Sequence, residues 1–235
     1  MQAIILAGGK GERLRPYTNI IPKPLLPIEN MPILEIVLKQ LKKYKFTEVV
    51  IAIGYLGEII KAYFGDGKKL GLNIRYSLEE VPLGTVGALS IINNLDDNFL
   101  IMNGDILSNV DFSDLYDFHM KNKKKATIVI YKKSLKLSLG IIKIKNSKLI
   151  DYIEKPEYKF NVSTGIYILN KEVVSLIPFK KHYDFPELIK DIILKEEISV
   201  YKFSGHWFDI GTPEDYNQAQ DSFIKLKDIF LKEDK

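Results

Sequence analysis

The first fifteen residues restrict the fold more than any other stretch of the chain. Ala3 to Ala7 form an apolar run with the length and composition of a buried strand. The run stops at Gly8, Gly9 and Gly11, where a backbone without Cβ can turn sharply and come close to a ligand. Arg13 and Arg15 follow at once. They are two of only three arginines among 34 basic residues, in a chain that otherwise uses lysine. A guanidinium fork fits phosphate oxygens in a way an ammonium does not. Strand, glycine loop and paired arginines predict a phosphate cradle. The two common glycine signatures do not describe it. Gly-x4-Gly-Lys-Ser/Thr does not occur, and the last glycine position of Gly-x-Gly-x-x-Gly, counted from Gly9 and Gly11, is Leu14.

Further strand-like runs recur at Glu48–Gly54, Asn73–Leu78, Phe99–Asn103, Ala126–Tyr131, Gly140–Ile144, Thr164–Leu169 and Ile198–Phe203. Ile33, Ile36, Val37, Gln40, Leu41 and Tyr44 carry a stripe at helical spacing. A second helix is expected from Gly84 to Asn93 and a third from Asp111 to Asn122. Thr212-Pro213-Glu214-Asp215 sets an N-cap, a first-turn proline and first-turn acids at the head of a last helix running to about Lys232. Strands alternating with helices predict an α/β fold with a doubly wound, mainly parallel sheet. The closer spacing of the later strands predicts antiparallel additions. With no linker or repeat, residues 1–235 read as one domain. Ligands of such sheets bind beyond the carboxyl ends of the strands, where the glycine loop lies.

Two acids stand out. Asp105 closes the run Phe99-Leu-Ile-Met-Asn-Gly-Asp105, and Asp209 sits between Phe208 and Ile210. An acid in an apolar run is costly to bury without a partner. Two of them converging on one Mg²⁺ would account for both, since Mg²⁺ takes one or two carboxylates plus substrate phosphates. Lys23 lies between Pro22 and Pro24 on a segment expected to be stiff and extended, suited to a phosphate clamp. Lys155, in Glu154-Lys155-Pro156, follows the same logic. Glu79-Glu80-Val81-Pro82-Leu83-Gly84-Thr85 joins carboxylates to a glycine turn. A carboxylate only accepts hydrogen bonds, and guanine offers adjacent N1–H and N2–H donors, so this segment leans towards GTP. His119, His182 and His206 form no obvious site.

Composition narrows the rest. The chain has 46% hydrophobic and 27% charged residues and a net charge of +4, as in soluble globular proteins. It has no cysteine, which excludes disulfides, thiolate metal sites and a cysteine nucleophile. No signal-peptide pattern or membrane-length apolar segment is present, so a cytoplasmic protein without membrane partners is expected. The lysine run at Lys121, Lys123, Lys124 and Lys125 lacks aromatic interleaving and reads as a solvated loop, not a nucleic-acid surface.

Taken in order, Leu6-Ala-Gly-Gly-Lys-Gly-Glu-Arg-Leu-Arg-Pro16, Pro22-Lys-Pro-Leu-Leu-Pro27, Pro82-Leu-Gly-Thr-Val-Gly87, Asn103-Gly-Asp105, Glu154-Lys-Pro156, Ser163-Thr-Gly-Ile-Tyr167 and Trp207-Phe-Asp-Ile-Gly211 resemble the sugar-1-phosphate nucleotidyltransferases, from Met1 to the last helix. The guanylyltransferase branch, acting on mannose-, heptose- or glucosamine-type phosphates, is most similar because Glu80 precedes the Pro-Leu-Gly-Thr block. The resemblance implies a Rossmann-like nucleotide-diphospho-sugar transferase fold with helices on both faces of a mixed sheet. It implies that a nucleoside triphosphate and a sugar 1-phosphate give a nucleotide sugar and pyrophosphate, with Mg²⁺, for surface glycan synthesis. Leu6, Ala7, Gly8, Gly9, Gly11, Glu80, Pro82, Gly84, Thr85 and Gly104 are then the nucleotide contacts. Arg13 holds pyrophosphate, Lys23 the phosphates, and Asp105 and Asp209 the metal. Gly140, Glu154, Lys155, Thr164 and Gly165 face the sugar phosphate. The family's Asn-Ala-Gly is Ser163-Thr164-Gly165 here, which leaves the sugar open.

A sugar phosphate is already an ionised nucleophile, so no general base is required, in keeping with the lack of a histidine site. A pyrimidine-specific relative using UTP, dTTP or CTP, a different phosphate acceptor, and a nucleotide-binding regulator without turnover are the competing readings. Phe223, Leu226, Ile229, Phe230 and Leu231 of the last helix either belong to the core or seal a homodimer.

Overall fold

The computed structural model describes residues 1–231. In chain order its main elements are β1 (Gln2–Ala7), β2 (Pro27–Ile28), β3 (Met31–Pro32), α1 (Ile33–Lys43), β4 (Glu48–Ile53), α2 (Gly57–Phe64), β5 (Asn73–Leu78) and β6 (Asn98–Asn103). There follow β7 (Ile106–Ser108), α3 (Phe112–Asn122), β8 (Ala126–Lys136), β9 (Ile141–Lys145), β10 (Lys148–Ile153) and β11 (Glu157–Asn170). The chain continues through α4 (Phe185–Ile193), β12 (Ser199–Phe203), β13 (Trp207–Asp209) and α5 (Pro213–Leu231). Seven strands make one sheet in the order β12-β8-β11-β6-β1-β4-β5. β1 lies between β4 and β6, parallel to both, and β5 extends the parallel half. β11 runs antiparallel to β6 and β8. The mixed, mainly parallel sheet expected from the alternation of strands and helices is the one observed.

Alternation along β1 divides its side chains between two cores. Ala3, Ile5 and Ala7 pack with Leu34, Val37 and Leu41 of α1, Ile60 and Phe64 of α2 and Phe112 and Leu115 of α3. Ile4 points the other way, into a cluster with Leu89, Phe185, Leu188 and Ile192. The sheet is therefore covered on both faces. A third cluster holds α5: Phe223 and Phe230 are buried with Leu14, Ile33, Ile36, Leu107 and Ile210. Full burial of each such ring contributes roughly 2–3 kcal/mol. Phe223 and Phe230 of the last helix are thus core, and only Ile224 and Ile229 of its large apolar residues are exposed. Thr212 caps α5 as expected: its hydroxyl accepts from Asp215 N–H at 3.2 Å and donates to Asp215 Oδ2 at 2.8 Å.

The structure differs from the sequence reading in three ways. The helix expected from Gly84 to Asn93 is a short 3-10 turn, Gly87–Ile91. Its lead-in is held by tertiary bonds instead, with Val86 and Gly87 N–H both donating to the Tyr183 carbonyl at 3.1 and 3.0 Å. Helices α2 and α4 were not read as such. The late strands are longer than expected. β8 and β11 run on past the sheet and continue into the β9–β10 hairpin, forming a two-stranded arm closed at Asn146 and Ser147. Both turn residues have positive φ, 49° and 61°, as a type I′ turn requires. No helix among the described residues is long and apolar enough to cross a membrane.

His119, 2% exposed, sits at the opposite end of the sheet from the glycine loop. Its ring nitrogens meet Thr127 Oγ1 at 2.8 Å and Asn98 Oδ1 at 3.0 Å. Burial depresses its pKa from 6.5 to about 4. Between those values the unfolded chain binds a proton that the folded chain does not. Stability is therefore complete above about pH 6.5 and is lost as the pH falls towards 4, by roughly 2–3 kcal/mol. Urea unfolding at pH 7 and pH 4.5 should show this loss, and His119→Gln should flatten the pH dependence.

Candidate functional site

The glycine loop is fixed by its own backbone and by a buried threonine. Leu14 N–H donates to the Gly11 carbonyl at 2.9 Å, and the Thr18 hydroxyl donates to the same oxygen at 2.8 Å. Leu14 anchors the turn in the core, which leaves Arg13 exposed beside it. Gly8 brings the loop close to a carboxylate: a Cβ there would lie 2.5 Å from Glu79 Oε1, so Glu79 would have to shift. Lys23 opens a 3-10 turn, Lys23–Leu25, and is not extended as the flanking prolines suggested. Pro24 is tolerated because a first-turn residue needs no N–H partner. The turn carries the Lys23 side chain inward, where it is largely buried and its ammonium pairs with Asp105 Oδ2.

The two acids are set side by side by a strand pair. β7 follows Asp105, β13 ends on Asp209, and the two pair antiparallel with Asp209 opposite Ile106. Ile210 N–H closes the end of this ribbon on the Asp105 carbonyl at 3.3 Å. Asp209 keeps an open side to solvent, yet the protein crowded around its carboxyl raises its pKa, and the nearby charge of Asp105 raises it further. Lys23 and Arg13 act in the opposite sense. Asp105 Oδ1 is buried and has no hydrogen-bond partner among the described residues. An orphaned carboxylate oxygen beside a second acid suits a hard divalent cation.

A cavity of about 500 Å³ opens onto this cluster. Of the residues singled out in the sequence, Leu6, Ala7, Gly8, Gly9, Gly11, Arg13, Lys23, Asp105, Pro82, Gly84 and Thr85 line it, and Asp209 does not. Its volume is that of a small-molecule or cofactor site. The Pro82–Thr85 wall is locked on the segment before α4: Tyr183 N–H donates to the Leu83 carbonyl at 2.9 Å, and Thr85 N–H donates to Asp184 Oδ1 at 2.7 Å. Gly104 lies behind the wall, buried, its N–H bonded to the Leu6 carbonyl at 2.8 Å.

Several residues are placed differently from the sequence reading. Glu80 is exposed and is not part of the cavity wall; Glu79 is. Burial raises the Glu79 pKa, while Leu83 N–H, donating to Oε2 at 3.1 Å, holds it down. Glu12, Pro24, Asn103, His182 and Gly211 also line the cavity and were not assigned there. Asn103 could have been found, because it opens the Asn-Gly-Asp block. His182 is brought in only by the docking of residues 181–185, which no local pattern signals. None of Gly140, Glu154, Lys155, Thr164 and Gly165 lines the cavity. Glu154 and Lys155 lie on the two-stranded arm, 3.8 Å apart and exposed, with the Tyr152 hydroxyl donating to Glu154 Oε2 at 3.0 Å. Gly140 abuts the ring of Tyr152. The Thr164 hydroxyl is turned into the sheet and donates to the Val129 carbonyl at 3.0 Å, while its own carbonyl accepts from Trp207 Nε1 at 2.9 Å. Gly165 packs against Asn103.

Fold and site thus define an α/β protein with a glycine-lined polar cavity at the carboxyl edge of its parallel strands. The chain belongs to the Nucleotidyl transferase family, which it matches over residues 2–225. It is 35% identical over 228 residues to a mannose-1-phosphate guanyltransferase of Yarrowia lipolytica, covering 92% of this chain and 62% of that one. It is 32% identical to a D-glycero-alpha-D-manno-heptose 1-phosphate guanylyltransferase of Aneurinibacillus thermoaerophilus, covering 94% and 97%. A UTP–glucose-1-phosphate uridylyltransferase of Synechocystis is 33% identical, covering 93% and 62%. The chain therefore spans a little under two thirds of some relatives and nearly all of another. HddC from Yersinia pseudotuberculosis has the same fold, with a TM-score of 0.74 at 24% identity, covering 94% of this chain and 99% of that one.

Gly211 ties the arginine to the acids. A Cβ at Gly211 would lie 3.2 Å from Arg13 Nη2 and 3.5 Å from both Cζ and Nη1, so the guanidinium lies flat against this glycine. Gly211→Ala should displace Arg13 by a few tenths of an ångström. Affinity for a non-hydrolysable triphosphate, read by calorimetry, should fall several-fold, with the melting temperature little changed.

Proposed function

We propose that this chain is a sugar-1-phosphate nucleotidyltransferase that transfers the nucleotidyl group of GTP to a sugar 1-phosphate and releases pyrophosphate. The observation that carries this reading is the convergence of Arg13, Lys23 and Asp105 on one cavity whose wall is the glycine loop, with Asp209 held beside Asp105 by the β7–β13 pair. Asp105 and Asp209 would hold Mg²⁺. When bound, the ion would neutralise phosphate charge and join the two reactants.

The chain's own residues would do the rest. The glycine loop and the Pro82–Thr85 wall fix the triphosphate. A phosphate oxygen of the sugar 1-phosphate attacks the α-phosphorus in line; the new P–O bond forms as the bond to the β-phosphate oxygen breaks. Arg13 and Lys23 stabilise the charge that collects on the departing pyrophosphate. Catalysis is positioning plus charge neutralisation, with no proton to remove from the attacking group. Glu154 and Lys155, on the arm, are the proposed sugar-phosphate contacts, with Gly140, Thr164 and Gly165 around them. Since both the Thr164 hydroxyl and its carbonyl are engaged, any part it plays there is indirect.

For the base, Glu79 replaces Glu80 as the reader. Its carboxylate lies on the cavity wall against Gly8 and can accept from guanine N1–H and N2–H together. The guanylyltransferases among the relatives support GTP, and the uridylyltransferase marks UTP as the competing nucleotide. The product would supply activated sugar for surface glycans.

Asp105→Asn and Lys23→Ala should each retain a native circular-dichroism spectrum and lose about 100-fold or more in pyrophosphate release. Near-normal turnover in either would contradict the mechanism. Glu79→Gln should cost at least about tenfold in preference for GTP over UTP, whereas Glu80→Gln should leave that preference unchanged.

A further inference from the structure

The polar lining of the cavity falls into two groups held by different contacts. Lys23 pairs with Asp105 and Arg13 lies against Gly211, on the side of the acids. Glu79, Pro82, Gly84, Thr85 and His182 form the other group. Its donors are nearly all spent. Leu83 N–H goes to Glu79 Oε2, Thr85 N–H to Asp184 Oδ1, and Val86 and Gly87 N–H to the Tyr183 carbonyl, while Pro82 has no N–H. The Thr85 hydroxyl donates to Asp184 Oδ1 at 3.0 Å and accepts from Phe185 N–H at 2.9 Å. His182 is different. Its imidazole makes no hydrogen bond among the described residues, and its Nε2 lies 3.8 Å from Asp184 Oδ2. It is nevertheless held in place. Tyr183 N–H, one residue on, bonds the Leu83 carbonyl at 2.9 Å, and a Cβ at Gly84 would lie 3.1 Å from His182 Cε1, so the ring rests on that glycine.

We infer that His182 is a specificity-determining residue that donates an N–H to the O6–N7 edge of guanine. This rests on the reading of the cavity as a nucleotide site. Around the guanine ring the groups run N2–H, N1–H, O6, N7: donors first, then acceptors. Glu79 only accepts, so it suits the donors. The acceptors need a donor from the same wall. Among its described side chains, His182 alone brings an N–H that no other group has taken, and an imidazole carries at least one N–H in either charge state. The other bases fit the pair less well. Adenine sets its N6 amino donor where guanine has O6, and would meet the imidazole donor to donor. Uracil offers N3–H and O4 but has no counterpart of N2–H or N7. Carboxylate and imidazole together thus match guanine at four atoms.

Calorimetric titration with GTP, 7-deaza-GTP and 6-thio-GTP, each with Mg²⁺, tests it. The first analogue lacks N7, the second replaces O6 by a poor acceptor, and both keep the N1–H and N2–H that face Glu79. His182→Phe keeps a ring on Gly84 and removes both ring nitrogens. The wild-type chain should bind GTP about fivefold more tightly than at least one analogue. His182→Phe should bind all three alike, at the weaker affinity, with an unchanged melting temperature. Equal binding of all three by the wild-type chain, or a preference for GTP that survives in His182→Phe, would overturn the inference. A wild-type chain that binds no nucleotide would overturn it together with the reading of the cavity. Pyrophosphate release from GTP and a sugar 1-phosphate, followed on the same wild-type sample, separates the two claims. Release without the analogue pattern removes only the role of His182; the analogue pattern without release upholds that role and removes the proposed reaction.

Discussion

Two carboxylates held side by side repel each other, and the site is organised around that cost. The β7–β13 pairing leaves Asp105 and Asp209 no freedom to separate, because their backbones are joined through Ile106 and Ile210. The raised pKa of Asp209 records the repulsion together with the crowding around it. Lys23 and Arg13 are the counterweights, and each is held by its own device. Lys23 is carried in by the turn between two prolines. Arg13 is braced against Gly211, one turn beyond Asp209. Of the four charged groups, Asp105 alone retains a buried oxygen without a protein partner. A cation placed there would relieve both the repulsion and the orphaned acceptor. The glycine loop then needs only to bring a polyphosphate alongside.

Much of this was legible because it is local. The run Ala3–Ala7 has the length and composition of a buried strand, and the loop after it lies where sheets of this class bind ligands. Asp105 and Asp209 announced themselves as acids in apolar runs. What was not legible depends on contacts distant in sequence or on register. Glu79 and Glu80 are neighbours of the same type. Which one enters the cavity is settled by Glu79 N–H, which extends the β5 ladder by bonding the Ile53 carbonyl at 2.8 Å. In extended chain the next side chain then points away. The helix expected after Gly84 was pre-empted by the docking of Val86 and Gly87 on Tyr183, a contact made across nearly a hundred residues. The arm was read as separate short strands because the irregularity around Gly140 and Lys155 interrupts its pattern.

The architecture separates two tasks. The proposed nucleotide half is built into the fold: loop, acids and cations are all attached to the parallel half of the sheet or to its edge ribbon. The proposed sugar-phosphate half is carried on the arm, where Glu154, Lys155 and Gly140 meet at Tyr152. An arm can vary in length and contact without disturbing the nucleotide site. That is a physical reason for relatives with one fold to act on different sugar phosphates.

Pyrophosphate release by the wild-type chain, measured with Mg²⁺ across GTP, ATP, UTP, dTTP and CTP against mannose-, glucose-, glucosamine- and heptose-type 1-phosphates, tests the central claim most directly. The site described here predicts release that needs both a triphosphate and a sugar 1-phosphate, is fastest with GTP and is abolished by chelating the metal. A folded protein that binds nucleotide but releases no pyrophosphate with any pair, or one that turns over at full rate without a divalent cation, would contradict it.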